Sequence, residues 1–270
     1  MIIDGKKLST TILKRVKEKI AHLKIRPVLA IILIGDNPAS LSFIRQKSKA
    51  CLEAGVVFNL HQFSEKIKEK DLIGKIKKIC SDKKNHGIII QLPIPKKFNT
   101  EKILNLIPLE KDIDALNNRS PNILSPVIGT VEEILKISKI NPKSKNIVIV
   151  GSGRLVGIPI IRWLKGQKIT PIVLNKYSKN IASFTRQADI LISGVGKAKL
   201  ITPTMIKNGA VCIDFGFSKK NKKISGDFSQ DVAKKAGVFT PTPGGTGPLT
   251  VAELIVNLLT LLRVFPCHIE

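Results

Sequence analysis

The sequence contains few aromatic residues, and this bears on how its strong positive charge is interpreted. Among 270 residues there are 45 Lys and Arg against 20 Asp and Glu, a formal net charge of +25. Such a charge favours nucleic-acid binding, but the aromatic side chains on which bases could stack make up only 4% of the chain. We therefore expect no specific nucleic acid as a partner, although a basic nucleic-acid-binding protein stays open as an alternative. The charge better suits small anionic ligands, such as a phosphorylated dinucleotide or a polyglutamate tail.

Cysteine and histidine are also scarce, and both are scattered along the chain. The four cysteines are Cys51, Cys80, Cys212 and Cys267, and the four histidines are His22, His61, His86 and His268. No two cysteines form a CxxC pair, so we expect no structural zinc site and no other metal site. We interpret the thiols as reduced, which is typical of cytoplasmic proteins.

Long apolar runs are absent as well. A membrane-spanning helix needs about 20 consecutive apolar residues, and no stretch approaches that length. The first residues, Met1 to Lys6, lack the basic and apolar pattern of a secretory leader. We therefore expect a cytoplasmic protein without a membrane partner. A hydrophobic fraction of 43% is nevertheless enough for a full core.

The first half of the chain alternates helical and extended patterns, which predicts a parallel α/β sheet. Apolar residues recur at helical spacing, or form short continuous runs typical of buried parallel strands. The predicted helices cover residues 7–24, Asn37 to Ala54 and Leu72 to Ile79, and the predicted strands cover Val28–Ile34, Val56–Phe63 and Gly87–Leu92. Asn37 and Pro38 predict the start of the second helix, and Gly55 its end.

A second unit follows the polar stretch Asn117 to Asn122. It shows the repeated strand and helix pattern of a Rossmann-like, doubly wound dinucleotide-binding domain. The predicted helices are Val131–Ile137 and the strongly apolar Thr250–Val264, and the predicted strands are Asn146–Val150, Ile172–Leu174, Ile190–Ser193 and Val211–Ile213.

Glycines come directly after one of these strands. The segment Val150-Gly151-Ser152-Gly153-Arg154-Leu155-Val156-Gly157 is predicted to join a strand to the first turn of a helix. Backbone N–H groups at such a helix start can hold a pyrophosphate, and glycines let it approach closely. The third glycine comes one position later than in the usual fingerprint, so a plain tight turn remains the alternative.

The residues after the next strand indicate which dinucleotide binds. An NAD site would offer an acidic side chain to the ribose hydroxyls about 20 residues beyond the glycines. This sequence has Asn175-Lys176-Tyr177-Ser178 there, without an acid. A lysine and hydroxyl groups suit a 2′-phosphate, so we predict NADP; a merely solvated Lys176 is the alternative.

Four segments together identify a family. They are Gly35-Asp36-Asn37-Pro38-Ala39-Ser40 with Lys47 and Lys49-Ala50-Cys51; Gly87 to Pro95, which contains Gln91-Leu92-Pro93-Ile94-Pro95; Lys111-Asp112-Ile113-Asp114; and Thr240 to Thr250, which contains Pro243-Gly244-Gly245. In their order, and from the first residues to the final helix, they resemble methylene-tetrahydrofolate dehydrogenase/cyclohydrolase.

The resemblance implies two α/β domains around a cleft. Residues 1–115 with 250–270 would form a folate-binding catalytic domain, and residues 116–249 the NADP-binding domain. It further implies oxidation of 5,10-methylene-tetrahydrofolate to the methenyl form, hydrolysis of that product to 10-formyl-tetrahydrofolate, and a homodimer.

The resemblance also assigns residues to the site. The catalytic residues would be Lys47, Gln91 and Asp114. The folate would contact Phe43, Pro243, Gly244 and Gly245. The cofactor would contact Gly151, Ser152, Gly153, Arg154, Val156, Gly157, Lys176, Ser178, Gly196 and Phe217.

Elementary chemistry supports the catalytic assignments. Phe43 and Lys47 are four residues apart on a predicted helix, so they share one face. A cationic methenyl product disfavours a protonated lysine beside it, so the pKa of Lys47 should fall and the amine could serve as general base. Asp114 can accept two hydrogen bonds from the pterin. Taken alone, Lys47 could equally be a solvated lysine, and Asp114 a turn residue.

The sequence departs from the family where ligands are expected. Phe43 replaces the usual tyrosine, and Ala115 replaces the usual glycine after Asp114. The segment Ser125 to Gly129 replaces the usual Cys-Thr-Pro-x-Gly, and Gly151-Ser152-Gly153 replaces the usual Gly-Arg-Ser. We expect both activities, because the three catalytic residues remain. A dehydrogenase with little or no cyclohydrolase activity is the alternative.

Overall fold

The computed structural model describes residues 1–116, 123–221 and 223–263. The chain divides into two compact units: residues 10–126 with 251–270, called here the first unit, and residues 1–9 with 127–250, called the second unit. The predicted polar stretch Asn117 to Asn122, and Val264, Cys267 and His268, lie outside the described residues.

The first unit is built on a parallel sheet of three strands in the order β2-β1-β3. Its elements are α1 (Gly5–Ala21, whose first residues belong to the second unit), β1 (Val28–Ile34), α2 (Pro38–Ala54), β2 (Val57–Phe63), α3 (Glu69–Ser81), β3 (Gly87–Ile90) and α4 (Thr100–Leu104). Residues of β1 and β3 are buried on both faces, as their continuous apolar runs predict. One core cluster packs side chains such as Ile32, Ile76 and Ile90 together.

Helix α2 begins and ends where its sequence predicts. The Asn37 side chain accepts hydrogen bonds from the N–H groups of Ala39 and Ser40, and Pro38 needs no N–H partner in the first turn. Gly55 ends the helix in the left-handed conformation (φ 80°), and its N–H donates to Cys51 O and Leu52 O. These caps fix the ends of the helix that carries Phe43 and Lys47.

The second unit contains a parallel sheet in the order β10-β7-β6-β4-β5. This confirms the predicted Rossmann-like α/β architecture. The elements are α5 (Pro126–Ile137), β4 (Ile147–Val150), α6 (Gly157–Gly166), β5 (Ile172–Leu174), α7 (Ile181–Thr185), β6 (Ile190–Ser193), β7 (Val211–Asp214), β8 (Ser218–Lys220), β9 (Lys223–Ser225), β10 (Val238–Phe239) and α8 (Thr246–Leu261). Most of α8, from Val251 onwards, belongs to the first unit.

Several helix starts were predicted too late. Helix α8 begins at Thr246, not Thr250, and α5 begins at Pro126, not Val131. A proline is tolerated in the first turn of a helix, so neither Pro126 nor Pro248 prevents an early helix start. At the start of α8, the Thr246 hydroxyl also donates a hydrogen bond to Asp214 O over 2.6 Å.

Further bounds differ from prediction, and strand β3 ends at Ile90, not at Leu92. Helix α3 starts at Glu69, not Leu72. Its first turn contains acidic residues, which stabilise a helix N-terminus but do not show in a pattern of apolar residues. Helix α1 ends at Ala21, not at residue 24, so Pro27 is not what stops it. The polar hairpin of β8 and β9 has no apolar pattern, and the sequence did not predict it.

Two general features complete the fold. Within the described residues, no helix is both long and apolar enough to cross a membrane. Cys51, Cys80 and Cys212 are buried free thiols.

Candidate functional site

The three predicted catalytic residues come together in the first unit. Lys47 lies on α2, Gln91 directly follows β3, and the segment before Asp114 runs parallel to β3 through the bridge between Ile88 and Asp112. Lys47 Nζ donates to Gln91 Oε1 over 3.1 Å. The Gln91 amide is held in that orientation because its Nε2 donates to Leu92 O over 2.9 Å. Lys47 therefore faces an acceptor whose direction is fixed.

Burial changes the protonation of this group. Part of the Lys47 side chain remains accessible, yet desolvation lowers the pKa of its ammonium group, with the charge of Asp114 opposing the shift. Burial likewise raises the pKa of Asp114, with Lys47 opposing. Both shifts favour the neutral forms, and a neutral lysine amine is a base. Cys51, one turn further along α2, is not a nucleophile here, since burial raises its pKa to about 12.

Phe43 and Ser40 lie on the same helix, before Lys47. Phe43 is one turn before Lys47 and half-buried, so the two side chains share a face, as predicted. Ser40 is only 1% exposed, and its hydroxyl donates to Leu92 O over 3.4 Å. Ser40 thus links α2 to the carbonyl that also orients Gln91, a role that the sequence did not indicate.

Ala115, next to Asp114, has a left-handed backbone. Its φ is 50°, a conformation that costs a residue with a Cβ about 1–2 kcal/mol and that glycine adopts freely. This explains why glycine is usual at this position in the family that the sequence resembles. Ala115 adopts this conformation at some cost in strain.

Ala115→Gly is therefore expected to keep the free energy of unfolding, or to raise it by up to about 1 kcal/mol. Ala50→Gly in α2 is the matched control, since Ala50 is equally buried at 5% against 6%. In a helix the same change should cost about 1 kcal/mol. Urea denaturation of both variants measures the difference, and equal losses would show that Ala115 is not strained.

In the second unit, the glycine-rich segment joins β4 to α6. Gly151 has φ 102°, and its N–H donates to Leu174 O over 2.7 Å. A Cβ added at Gly157 would lie 2.1 Å from Gly151 O, whereas one at Gly153 would meet nothing within 4 Å. Val156, at the helix N-cap, makes no side-chain capping bond. The loop is therefore closed tightly on itself and open to a ligand at Gly153, which fits a pyrophosphate.

The other predicted cofactor residues follow neighbouring strands of the same sheet. In the register, Val150 at the end of β4 pairs with Leu174 of β5 and with Ser193 of β6. Lys176 and Ser178 follow β5, Gly196 follows β6, and Phe217 follows β7, which pairs with β6. The carboxyl ends of parallel strands form one edge, where ligands of such sheets bind. The fold thus collects these residues, with Arg154 and Ser152, at that edge.

Lys176 and Ser178 belong to a turn that is partly ordered by its own side chains. Ser178 Oγ accepts from Asn175 N over 2.9 Å, and Asn175 Oδ1 accepts from Tyr177 N over 2.9 Å. Lys176 is exposed, and its Nζ lies 4.8 Å from the centre of the Tyr177 ring. A cation and a hydroxyl group in an exposed turn can receive a phosphate.

Two buried aspartates at this edge were not predicted. Asp214 ends β7 and Asp227 follows β9, and both are fully buried. Burial raises the pKa of Asp214 to about 7, with backbone N–H groups of Asp227, Phe228 and Gly216 opposing. For Asp214 the sequence offered one signal, namely an acidic residue directly after the apolar run Val211 to Ile213.

The predicted folate residues Pro243, Gly244 and Gly245 form a turn before α8, in the second unit. Gly244 has φ 103°, and Gly245 N donates to Pro241 O over 2.7 Å. A Cβ at Gly245 would lie 2.5 Å from Pro241 O, so this turn requires glycine. Among the described residues, no group of His, Cys, Asp and Glu is arranged to hold a metal ion.

Two family models match the chain. The catalytic domain of tetrahydrofolate dehydrogenase/cyclohydrolase matches residues 3–114, and the NAD(P)-binding domain of the same family matches residues 126–264. Together they cover most of the sequence. The second match begins at residue 126, next to the division between the two compact units at residues 126 and 127.

Individual relatives agree over their whole length. The bifunctional protein FolD of Fusobacterium nucleatum is 40% identical over 277 residues, covering 96% of both chains. That of Moorella thermoacetica is 38% identical, covering 97% of this chain and 98% of its own. The crystal structure of FolD from Campylobacter jejuni superimposes with a TM-score of 0.93 at 33% identity, covering 98% and 99%. FolD from Trypanosoma brucei, complexed with NADP cofactor and inhibitor, gives 0.91 at 29% identity, covering 97% of each.

Proposed function

Because this chain belongs to the tetrahydrofolate dehydrogenase/cyclohydrolase family, we propose that it carries out both reactions through Lys47, Gln91 and Asp114. It oxidises 5,10-methylene-tetrahydrofolate with NADP to the methenyl form, and hydrolyses that product to 10-formyl-tetrahydrofolate. The observation that carries this proposal is the hydrogen bond of 3.1 Å between Lys47 Nζ and Gln91 Oε1, at a lysine whose pKa burial lowers.

The oxidation depends on alignment more than on acid or base chemistry by the protein. NADP, when bound, supplies the acceptor for the hydride that leaves the methylene carbon. Asp114 accepts hydrogen bonds from the 2-amino group and N3–H of the pterin, and Phe43 stacks on the aminobenzoyl ring. Pro243, Gly244 and Gly245 offer backbone at close approach. These contacts orient the folate, which is what such a transfer requires of the protein.

The hydrolysis uses Lys47 as a general base. The neutral amine takes a proton from water while the water oxygen bonds to the methenyl carbon. As the bond from that carbon to N5 breaks, the new hydroxyl group loses its proton to become the formyl oxygen, and N5 gains a proton. N10 keeps the formyl group, and the proton taken by Lys47 passes to solvent as the one proton released overall. Gln91 orients the amine through its fixed amide oxygen. The cationic substrate further disfavours the ammonium form.

The second unit supports NADP as the cofactor. The loop from Gly151 to Gly157 would hold the pyrophosphate, and Arg154, Lys176 and Ser178 offer cations and a hydroxyl group for the 2′-phosphate. Gly196 and Phe217 lie at the same edge of the sheet. Residues 116–249 would accordingly form the NADP-binding domain, and residues 1–115 with 250–270 the folate-binding domain.

The cellular setting follows as part of the same proposal. A net charge of +25 favours polyglutamylated folates, whose tails are anionic. We further propose a homodimer in the cytoplasm, in line with the family.

Phe43 motivates a second candidate, a dehydrogenase with weak or no cyclohydrolase activity. The usual tyrosine offers a hydroxyl group that phenylalanine lacks, so any part of that hydroxyl in hydrolysis is lost. Lys47, Gln91 and Asp114 are all kept, and for that reason we favour the bifunctional enzyme.

One assay separates the two candidates. Methylene-tetrahydrofolate is incubated with NADP, and with NAD in parallel, while NADPH and methenyl absorbance are followed together. The bifunctional enzyme forms NADPH with little methenyl accumulation. Methenyl that decays only at its spontaneous rate would favour the monofunctional enzyme, in which Phe43→Tyr should raise hydrolysis. Absence of any reduction of NADP would refute the proposed function.

A further inference from the structure

The turn after β6, residues 194–197, packs directly against the glycine-rich loop. Gly194 N donates to Val150 O over 3.1 Å. A Cβ added at Gly194 would lie 2.7 Å from Val156 Cγ1, and one at Gly151 would lie 3.1 Å from Val195 Cγ2. There is no space for the turn to move towards the loop without displacing it. The position of the turn therefore helps to set the shape of the loop.

The carboxylate of Asp227 holds this turn by accepting hydrogen bonds from it. Its carboxylate is fully buried. Oδ2 accepts from Val195 N over 2.7 Å and from the Ser193 hydroxyl over 2.7 Å, and Oδ1 accepts from Lys197 N over 2.8 Å. Each carboxylate oxygen thus receives one backbone N–H of the turn, on either side of Gly196.

Asp227 is itself fixed by the neighbouring aspartate. Its backbone N–H donates to Asp214 Oδ1 over 3.0 Å, and Gly216 N donates to the same oxygen over 2.8 Å. Gly216 precedes Phe217, so the network joins the turn at Gly196 to the turn at Phe217. This packing is close, because a Cβ added at Gly216 would lie 2.3 Å from Asp227 Cγ.

An apolar side chain at position 227 would be buried at a lower cost in free energy than a carboxylate. Burial of a carboxylate is expensive unless hydrogen bonds satisfy it, and here the donors come from the turn that borders the glycine-rich loop. Hydrogen bonds from backbone N–H groups to a buried carboxylate are short and strong. They give the turn a defined shape without any cofactor.

We propose that Asp227 is a positioning residue for NADP, which preorganises the turn 194–197 beside the glycine-rich loop without touching the cofactor. The proposal rests on the proposed function, since it presumes that NADP binds at this edge. Its consequence is that affinity for NADP depends on a carboxylate that is itself fully buried.

Asp227→Asn tests this with little change in volume. Either orientation of the amide turns its NH₂ group towards one backbone N–H of the turn, so one of the two bonds is lost. The Kd for NADP, measured by titration calorimetry, and the KM for NADP should rise about tenfold, because a lost bond to a charged acceptor typically costs that much. Hydrolysis of methenyl-tetrahydrofolate, which needs no NADP, should stay within about twofold if the fold is intact.

Two matched variants separate positioning from stability. Asp231→Asn removes the same charge from an exposed residue of the same unit, whose carboxylate pairs with Lys234 at 3.2 Å, and should bind NADP as the wild type does. Ser193→Ala removes the third donor to Asp227 but keeps both backbone bonds. It should lower the melting temperature without a matching loss of NADP affinity.

The outcomes are distinct. Unchanged Kd in folded Asp227→Asn, or equal loss in Ser193→Ala, overturns this proposal alone. A wild type that does not bind NADP overturns the proposed function together with it.

A measurement on the wild type covers the case in which Asp227→Asn does not fold. In hydrogen exchange, the amides of Val195 and Lys197 should be protected before NADP is added, because they are already bonded to Asp227. Protection that appears only with NADP would mean that the cofactor orders the turn, and the proposal would be wrong.

Discussion

Lys47→Met is expected to lower the rate of methenyl-tetrahydrofolate hydrolysis about 10²–10⁴-fold, the usual contribution of a general base. Methionine has a similar length and suits a half-buried position on α2, so the helix should remain intact. In the coupled assay, methenyl product should then accumulate in step with NADPH. The measurement is methenyl absorbance after correction for spontaneous hydrolysis.

The control for this prediction lies two residues further along the helix. Lys49 is exposed, with 78% of its side-chain surface accessible, and its pair with Glu53 is loose, at 3.8 Å. Lys49→Met should therefore keep the hydrolysis rate of the wild type. If Lys47→Met still hydrolyses methenyl-tetrahydrofolate at the wild-type rate, Lys47 is not the general base, whatever the variant does to the oxidation.

Gly157→Ala is expected to have the second largest effect, on the dehydrogenase. The new Cβ would lie 2.1 Å from Gly151 O and 2.8 Å from Ser152 Cα, so the glycine-rich loop must shift. Displacements of about 1 Å in a site can cost 10²-fold in rate, and we expect that loss in kcat/KM for NADP. Overpacking should also lower the free energy of unfolding by about 1–3 kcal/mol.

Gly153→Ala is the matched control within the same loop. A Cβ at Gly153 would meet no atom within 4 Å, and members of the family usually have serine at this position. The free energy of unfolding should therefore stay near that of the wild type. An equal loss of stability in Gly153→Ala would show that the close contact with Gly151 O is not what Gly157→Ala disrupts.

The sequence predicted the elements whose signals are local. The apolar runs of β1, β4, β6 and β7 identify buried parallel strands, and Asn37 and Gly55 identify the ends of α2. The starts of α5 and α8 were missed because Pro126 and Pro248 look like helix breakers, although the first turn tolerates them. Helix bounds that depend on a tertiary contact, such as the bond from Thr246 to Asp214, cannot be seen in a local pattern.

The site shows the same division. The motif around Gln91 and the lysine at 47 were enough to suggest a catalytic group, but Lys47 lies among Arg45 and Lys49, which are exposed. Only the fold distinguishes the desolvated lysine from its neighbours. Asp227 gave no signal at all, because its partners at 193, 195 and 197 are about 30 residues away in sequence.

The pH dependence of methenyl-tetrahydrofolate hydrolysis tests the central claim most directly. Burial lowers the pKa of Lys47 below its ordinary 10.5, so the basic form becomes populated as pH rises towards that lowered value. The rate that depends on the enzyme, obtained by subtracting the rate of Lys47→Met, should rise with pH and level off below pH 10.5. A rate that falls as pH rises over the same range would contradict the account, because it would assign the reaction to the ammonium form.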